Sequence, residues 1–539
     1  MTGYARLCDA DGGCAYGLPP ELLALLRSGQ AAWRYLSLPR AVAQVASAAA
    51  VTEAADWWRL TAAVVDRAVP CSTGDADRSA LASLGESLAV AWGLLPDCGV
   101  LSLQAEPPPA LAAALDGGLL RCLELLLRRA GRDPQGPEST LLQGLGRRVP
   151  GKCQGFGSYL VPLLAYGEPR QAAALLATMR KVLRTADSRA LGTDETGAVE
   201  HSSHDGLFLV FTGGPACFLT AVRAQEEEAA AADAAPGDEP PSPASQQLLR
   251  LLSCAACEWL PELSQSLSQP LRSSGMASPG LLTALLIWLP PLAGRCVVQP
   301  CAAANRNPTD DDAGGGASGG GGEAADDGGW RALLMEEVGA VALLDASLRM
   351  VPRVAELHQE SRLPLLRSLV AACCTVAAVA RGVPRTAAEG AAGRPKQQEA
   401  GDAAAAMGQS VPWRSGRLRE AAAGLRSYAD QDMAAHAEGL GAYLELGGDC
   451  AFEALRQASP PPGPLASALP PPTEARRLMP GRCANPRCAN LESDSEADLT
   501  LKACAGCGTV GYCCRPCQTA HWRGGHKDEC ARRRDGGGR

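Results

Sequence analysis

Apolar residues along this chain follow the helical period rather than the alternation of strands, and polar or glycine-rich breaks separate the periodic runs. Two of the runs, "GGLLRCLELLLRRAG" (117–131) and "VGAVALLDASLRMVP" (338–352), align Gly118 with Gly339, Leu123 with Leu344, Glu124 with Asp345, Leu127 with Leu348 and Arg128 with Arg349. A glycine turn feeding an amphipathic helix is the unit from which helical-hairpin solenoids are stacked. No constant period accompanies it, so two ordinary amphipathic helices with coincident matches explain the pair equally well. The expected fold class is mainly α: a helical body, solenoid-like if the unit repeats, with low-complexity loops and a small, distinct C-terminal region.

Composition supports helices and bounds the partners. Hydrophobic residues make up 46% of the 539 positions but aromatics only 4%, so the buried contacts are mainly Ala, Leu and Val, which suits close-packed helices. The net charge of -8 offers no global polycation to nucleic acid or an anionic membrane. The opening "MTGYARLCDADGGC" lacks the basic start and apolar run of a secretory signal, so the thiols are expected to stay reduced and the protein to be intracellular. "GLLTALLIWLPPLAGRCVV" (280–298) is long enough to span a membrane but carries Pro290, Pro291 and Arg295, and "LPLLRSLVAACCTVAAVA" (363–380) carries Arg367. Both read as core helices, the first ending at the prolines.

The breaks divide the chain into a helical domain at 1–223, a low-complexity linker at 224–245 and a helical region at 246–458 interrupted by disordered loops at 302–330 and 385–412. A Pro-rich linker at 459–480 follows, read as a semi-rigid spacer that holds the last region, 481–532, away from the body. Fourteen cysteines precede residue 480, mostly single and in Ala/Leu surroundings, and these read as small core residues.

The last region concentrates the candidate chemistry. Cys483, Cys488, Cys504, Cys507, Cys513, Cys517, His526 and Cys530 are eight ligand-type residues, enough for two tetrahedral zinc ions. Cys504 and Cys507 share a glycine-rich turn, while Cys513 with Cys517 and His526 with Cys530 are each four apart, the spacing of one helical turn. So few aliphatic residues accompany them that a domain of this size must be stapled to fold. A reducing compartment leaves metal as the staple, so two Zn2+ per chain are expected. Spacing alone permits sequential or interleaved sites.

The run Cys504-x2-Cys507-x5-Cys513-x3-Cys517-Gln518-x3-Trp522-x3-His526-Lys527-x2-Cys530, with Tyr512 before Cys513, resembles the MYND-type zinc finger. The resemblance covers only residues 483–530. It departs in its first pair, Cys-x4-Cys where many members have Cys-x2-Cys, and in a longer, acidic 15-residue loop after Cys488. The resemblance implies interleaved sites, Cys483, Cys488, Cys513 and Cys517 on one zinc and Cys504, Cys507, His526 and Cys530 on the other, with Cys514 and His521 surplus. It further implies a protein-interaction module that takes short, often proline-containing peptides.

Gln518 and Trp522, one helical turn apart, are the candidate platform for such a peptide. Packing of Trp522 over the zinc site is the equal alternative. Residues 481–534 hold nine Lys/Arg and six Asp/Glu. Seven thiolates and two zinc ions bring that balance to about zero, a poor counterion-release surface for DNA.

The expected function is therefore a zinc-binding scaffold or adaptor that recruits a protein partner through this finger. The alternative is an enzyme with an unrecognised body. MYND fingers also accompany SET-domain methyltransferases, but no SET-like motif occurs here. Ala/Leu-rich chains with such a finger are also grouped with phytol kinases, and this body lacks the string of clean spans expected of one. Apart from the glycine-helix unit, which is reminiscent of armadillo-like helical proteins, the body is unassigned. "GRRVPGKC" (Gly146–Cys153) nearly fits a phosphate-cradling loop, but Cys153 replaces the hydroxyl. Cys254, Cys257, Cys296 and Cys301, and "HSSHD" (201–205), are weaker metal candidates, read as a helix face and a polar turn.

Overall fold

Among the described residues every long element is a helix, and the two strands are two residues each. The structure, a computed structural model, describes residues 48–67, 69–71, 75–89, 100–146, 156–185, 214–224, 226, 240–272, 278–297, 329–381, 411–447, 463–478 and 483–536. The chain divides into two units. The first comprises Met1–Ala190, Thr196–Glu262 and Ala475–Arg539, and the second Leu191–Glu195 and Leu263–Glu474.

In the first unit, small residues let helices approach closely. Helix Asp75–Ala89 packs on helix Pro137–Gly146, and a Cβ on Gly85 or Gly144 would overlap the facing backbone of the other helix. The few aromatics fill the remaining volume: Trp58 is buried edge-on against Trp57, with centroids 4.6 Å apart, and Trp259 meets Phe218 and donates its indole N–H to Leu176 O at 3.2 Å. Helix Leu119–Arg132 packs against helices Pro137–Gly146 and Pro169–Thr185. These two helices, 119–132 and 169–185, position the site described below.

In the second unit, helix Gln359–Arg381 is the centre, packed by Pro279–Leu286, Leu289–Val297, Ala340–Leu348, Ser415–Ser427 and Gln431–Leu446. By length and composition two stretches, Pro279–Cys296 and Gln359–Arg381, could cross a membrane, and 56% and 67% of their apolar windows are buried inside the protein. The first is two helices, not one ending at the prolines. It stops at Leu286 and resumes at Leu289, because Pro290 and Pro291 fall in a first turn, where a missing N–H costs nothing.

Gly118 and Gly339 both open their helices in the left-handed conformation, with φ of 84° and 62°, a geometry that glycine adopts without a Cβ clash. The aligned leucines, Leu123 with Leu344 and Leu127 with Leu348, are buried in both helices, but the charged pairs differ. Glu124 and Arg128 are buried, whereas Arg349 stays 63% exposed in an ion pair with Asp345.

Several expected breaks are partly ordered. Helix Pro243–Arg272 begins inside the expected linker 224–245, with Ala244 and Ser245 buried. Trp330 and Val411, at the edges of the expected loops, are also buried. Residues 227–239, 298–328 and 382–410 lie outside the described residues. The segment read as a spacer forms helices Pro464–Ala468 and Pro472–Leu478, each begun by a proline at its start and anchored by buried Leu465, Leu469 and Ala475.

Candidate metal centre

The C-terminal segment places its ligands on a small hairpin and a bent pair of helices. Strands β1 (Lys502–Ala503) and β2 (Gly511–Tyr512) pair antiparallel, Lys502 opposite Tyr512. The turn between them closes through Gly508 N–H to Cys504 O and Cys504 N–H to Val510 O, both 2.8 Å. Gly508 has φ 66°, and a Cβ on Gly506 would lie 2.6 Å from Cys530 Sγ. Both glycines are thus required, one by conformation and one by the closeness of a ligand sulfur. Ala484 N–H to Gly511 O at 2.8 Å lays the first cysteine segment beside the hairpin. Helix Arg515–His521 carries Cys517, and Gly525, at φ 128°, kinks the chain before helix Lys527–Gly536, so that His526 and Cys530 face the turn.

Two foursomes result, Cys483, Cys488, Cys513, Cys517 and Cys504, Cys507, His526, Cys530, each with its ligand atoms within 4.8 Å of one another. Around a tetrahedral zinc with bonds of about 2.3 Å to sulfur and 2.0–2.1 Å to nitrogen, sulfurs stand about 3.8 Å apart and sulfur and nitrogen about 3.6 Å. Cys488 lies 3.6 Å from both Cys513 and Cys517, and Cys513 lies 3.7 Å from Cys517. In the second group Cys504 and Cys530 are 4.0 Å apart, and Cys507 Sγ is 3.7 Å from His526 Nε2. The separations fit two zinc ions, and none of the finger's cysteines is in a disulfide.

The electrostatics ask for a cation. A hydrogen bond from Cys483 brings the Cys488 thiol down to about 4, and the Thr509 hydroxyl brings Cys507 down to about 6. Burial pushes Cys517 up to about 12 and Cys530 up to about 11. Burial and, after it, the closeness of like charges both oppose ionisation of all the sulfurs together. Zinc supplies the positive charge that lets all the sulfurs ionise. Asn490 Nδ2 donates to Cys513 Sγ at 3.4 Å and Thr509 Oγ1 to Cys507 Sγ at 3.2 Å, bonds that orient thiolate ligands.

The sites interleave, as the resemblance implied and spacing left open. Cys513 and Cys517 do not share a helical turn, because Cys513 precedes the extended N-cap Cys514 and only Cys517 is helical. Cys514 Sγ sits 3.8 Å from Cys513 Sγ, and His521 Nδ1 meets the Tyr512 hydroxyl at 3.1 Å. Neither belongs to a foursome. Gln518 is half-buried. Trp522 packs edge-on against His526, with centroids 5.9 Å apart, yet stays 40% exposed. Of the weaker candidates, Cys254 and Cys257 are buried, Cys254 Sγ donating to Ala475 O at 3.1 Å, and Cys296 Sγ donates to Leu292 O at 3.4 Å. Cys301, "HSSHD" and residues 147–153 of the phosphate-loop candidate lie outside the described residues.

The finger is not held away from the body, which corrects the spacer reading. Its long loop straps across helices 119–132 and 169–185. Arg128, with no exposed surface, donates to Ser493 O at 3.0 Å, to Glu492 O and to Thr178 Oγ1, and pairs with Glu496. Buried Glu124 accepts from Ser495 Oγ at 2.6 Å, from the Glu496 N–H at 2.7 Å and from Thr178 Oγ1 at 2.9 Å. Arg121 pairs with Asp498, Arg132 with Glu492 and Lys181 with Glu496. Leu491 is buried in space left by Gly131, where a Cβ would come 2.5 Å from Leu491 Cδ1 and 3.3 Å from Val182 Cγ2. Opposite charges so densely satisfied attach the loop better than isolated surface pairs do. The only sequence sign was complementarity: an acidic loop of unusual length and a helix rich in arginine.

The family model of the MYND finger matches residues 483–530, and that segment is a MYND finger with two zinc sites. No curated protein and no solved structure matches the chain, and the helical body is unassigned.

Proposed function

We propose that the protein is an intracellular zinc-binding adaptor whose MYND finger recruits a partner protein through a short, proline-containing peptide laid on Gln518 and Trp522. Membership of the segment in a protein-interaction class supports the reading, and one observation carries it. Among the described residues only Leu446 and Trp522 are large hydrophobics exposed to solvent. An indole held by a metal ligand on one side and open on the other is a rigid contact surface that loses little entropy on binding. The strap contacts described above come from residues 491–498, so docking on the helices uses a different stretch of the finger.

The test is an array of short proline-containing peptides probed with the zinc-loaded full chain. Trp522→Ala is expected to lower capture about thirty-fold or more, equivalent to a hot-spot residue of at least ~2 kcal/mol, with both zinc ions retained. Capture unchanged by Trp522→Ala, or no peptide held by the parent chain, rejects the proposal.

A further inference from the structure

The two zinc sites differ in what lies behind them. Behind the second, the orienting groups come from the finger itself: Thr509 on Cys507, Gly506 beside Cys530, and Trp522 against His526. Behind the first lies helix Pro169–Thr185. Arg180 Nη2 donates to Pro486 O at 3.0 Å, Arg184 Nη1 to Cys488 O at 2.9 Å and Lys181 Nζ to Asn490 O at 2.9 Å. These carbonyls belong to alternate residues of one segment, which contains the ligand Cys488 and the ligand-orienting Asn490. Three cations of one helix thus grip the backbone that carries one ligand and steers another.

Charge runs the same way. Four thiolates on Zn2+ leave the first site at -2, while three thiolates and a neutral imidazole leave the second at -1, as follows from the donor sets. The more anionic site therefore faces the arginines and lysine. Arg180 and Arg184 are held in turn by Glu258 and Glu262, so each guanidinium is gripped from the body as well as from the finger.

We propose that Arg180, Lys181 and Arg184 are positioning residues of the first zinc site, so that zinc binding there and docking of the finger on the helices are one linked equilibrium, from which the second zinc is independent. Linkage is reciprocal: what docking adds to the affinity of the first zinc, that zinc adds to docking. Loss of the first zinc frees the strap 489–498 and uncovers Arg128, whereas loss of the second does not. The inference rests on the two-zinc finger and not on peptide recruitment, so it stands or falls without any partner.

The experiment uses the full chain loaded with zinc and titrated with a chelator. In a Cys530→Ala background, which retains the first site, Lys181→Met is expected to weaken zinc retention about 10- to 100-fold, the usual effect of removing an outer-shell group. In a Cys517→Ala background, which retains the second, the same substitution is expected to change nothing. Lys181→Arg, which keeps the charge and a donor, should restore retention. Helical circular dichroism equal to the parent's is the folding control, and Lys181→Gln replaces Lys181→Met if that variant fails it. Hydrogen exchange reads the reciprocal effect: residues 489–498 should lose protection in Cys517→Ala and keep it in Cys530→Ala. Equal weakening of both sites, no weakening of the first, or the same strap exchange in both cysteine variants overturns the proposal.

Discussion

Helix Pro169–Thr185 buries Ala172, Leu175, Leu176, Met179, Val182 and Leu183, whereas the core of the finger is Cys488, Cys504, Tyr512, Cys517 and Cys530. The helix is ordered by removing aliphatic surface from water, at roughly 25 cal/mol per Å2. The finger has almost nothing to remove, and its order comes from metal bonds. The two cooperate: the helix also lends its polar side to the finger, so a region that cannot build a core rests on one that has charge to spare.

The widest separation between them should appear on removing zinc. Structural zinc contributes about 10 to 16 kcal/mol to folding, so in strong chelator exchange protection of 483–530 should collapse while the helical circular dichroism of the body persists. Loss of both together would erase the distinction. Next comes the buried contact they share. Arg128→Ala leaves Glu124 and Glu496 without their guanidinium, and breaking a buried pair costs about 3–5 kcal/mol. Denaturant unfolding in excess zinc, followed by a probe in the strap, should show that loss.

A smaller effect is expected of Gly131→Ala, whose methyl meets Leu491. Overpacking of this kind costs about 1–3 kcal/mol, reduced here because a leucine tip can turn aside, and limited proteolysis within 489–498 should detect it. The smallest is Arg349→Ala. It removes the sequence counterpart of Arg128, but its pair with Asp345 is on the surface, where such pairs are worth about 0–1 kcal/mol. Equal unfolding midpoints for the two arginine variants would contradict the buried role assigned to Arg128.

That last contrast also marks what the sequence could convey. Ligand spacing made the finger legible down to each foursome's members once the family resemblance was added, because metal geometry constrains residues close in the chain. Helical periodicity located the body, and the paired glycines at 118 and 339 do open helices with the same left-handed geometry. Docking was illegible for a physical reason. Glu124 and Arg128 look like the solvated face of an amphipathic helix, and their partners Ser495 and Glu496 lie more than 360 positions away, beyond any local pattern. The break at Ile287 and Trp288 is not visible in the pattern, because prolines can end a helix and here they begin one. The spacing of four between Cys513 and Cys517 suits a helical turn, but a strand exit followed by an N-cap achieves the same approach.

The order of the finger depends on two zinc sites built from these eight ligands, and counting metal tests this most directly. Elemental analysis of the purified full chain should give two zinc ions per polypeptide, one in Cys517→Ala, one in Cys530→Ala and two in Cys514→Ala. One zinc or none in the parent, or loss of a zinc from Cys514→Ala, would contradict the assignment of ligands and with it the account of how the finger is built.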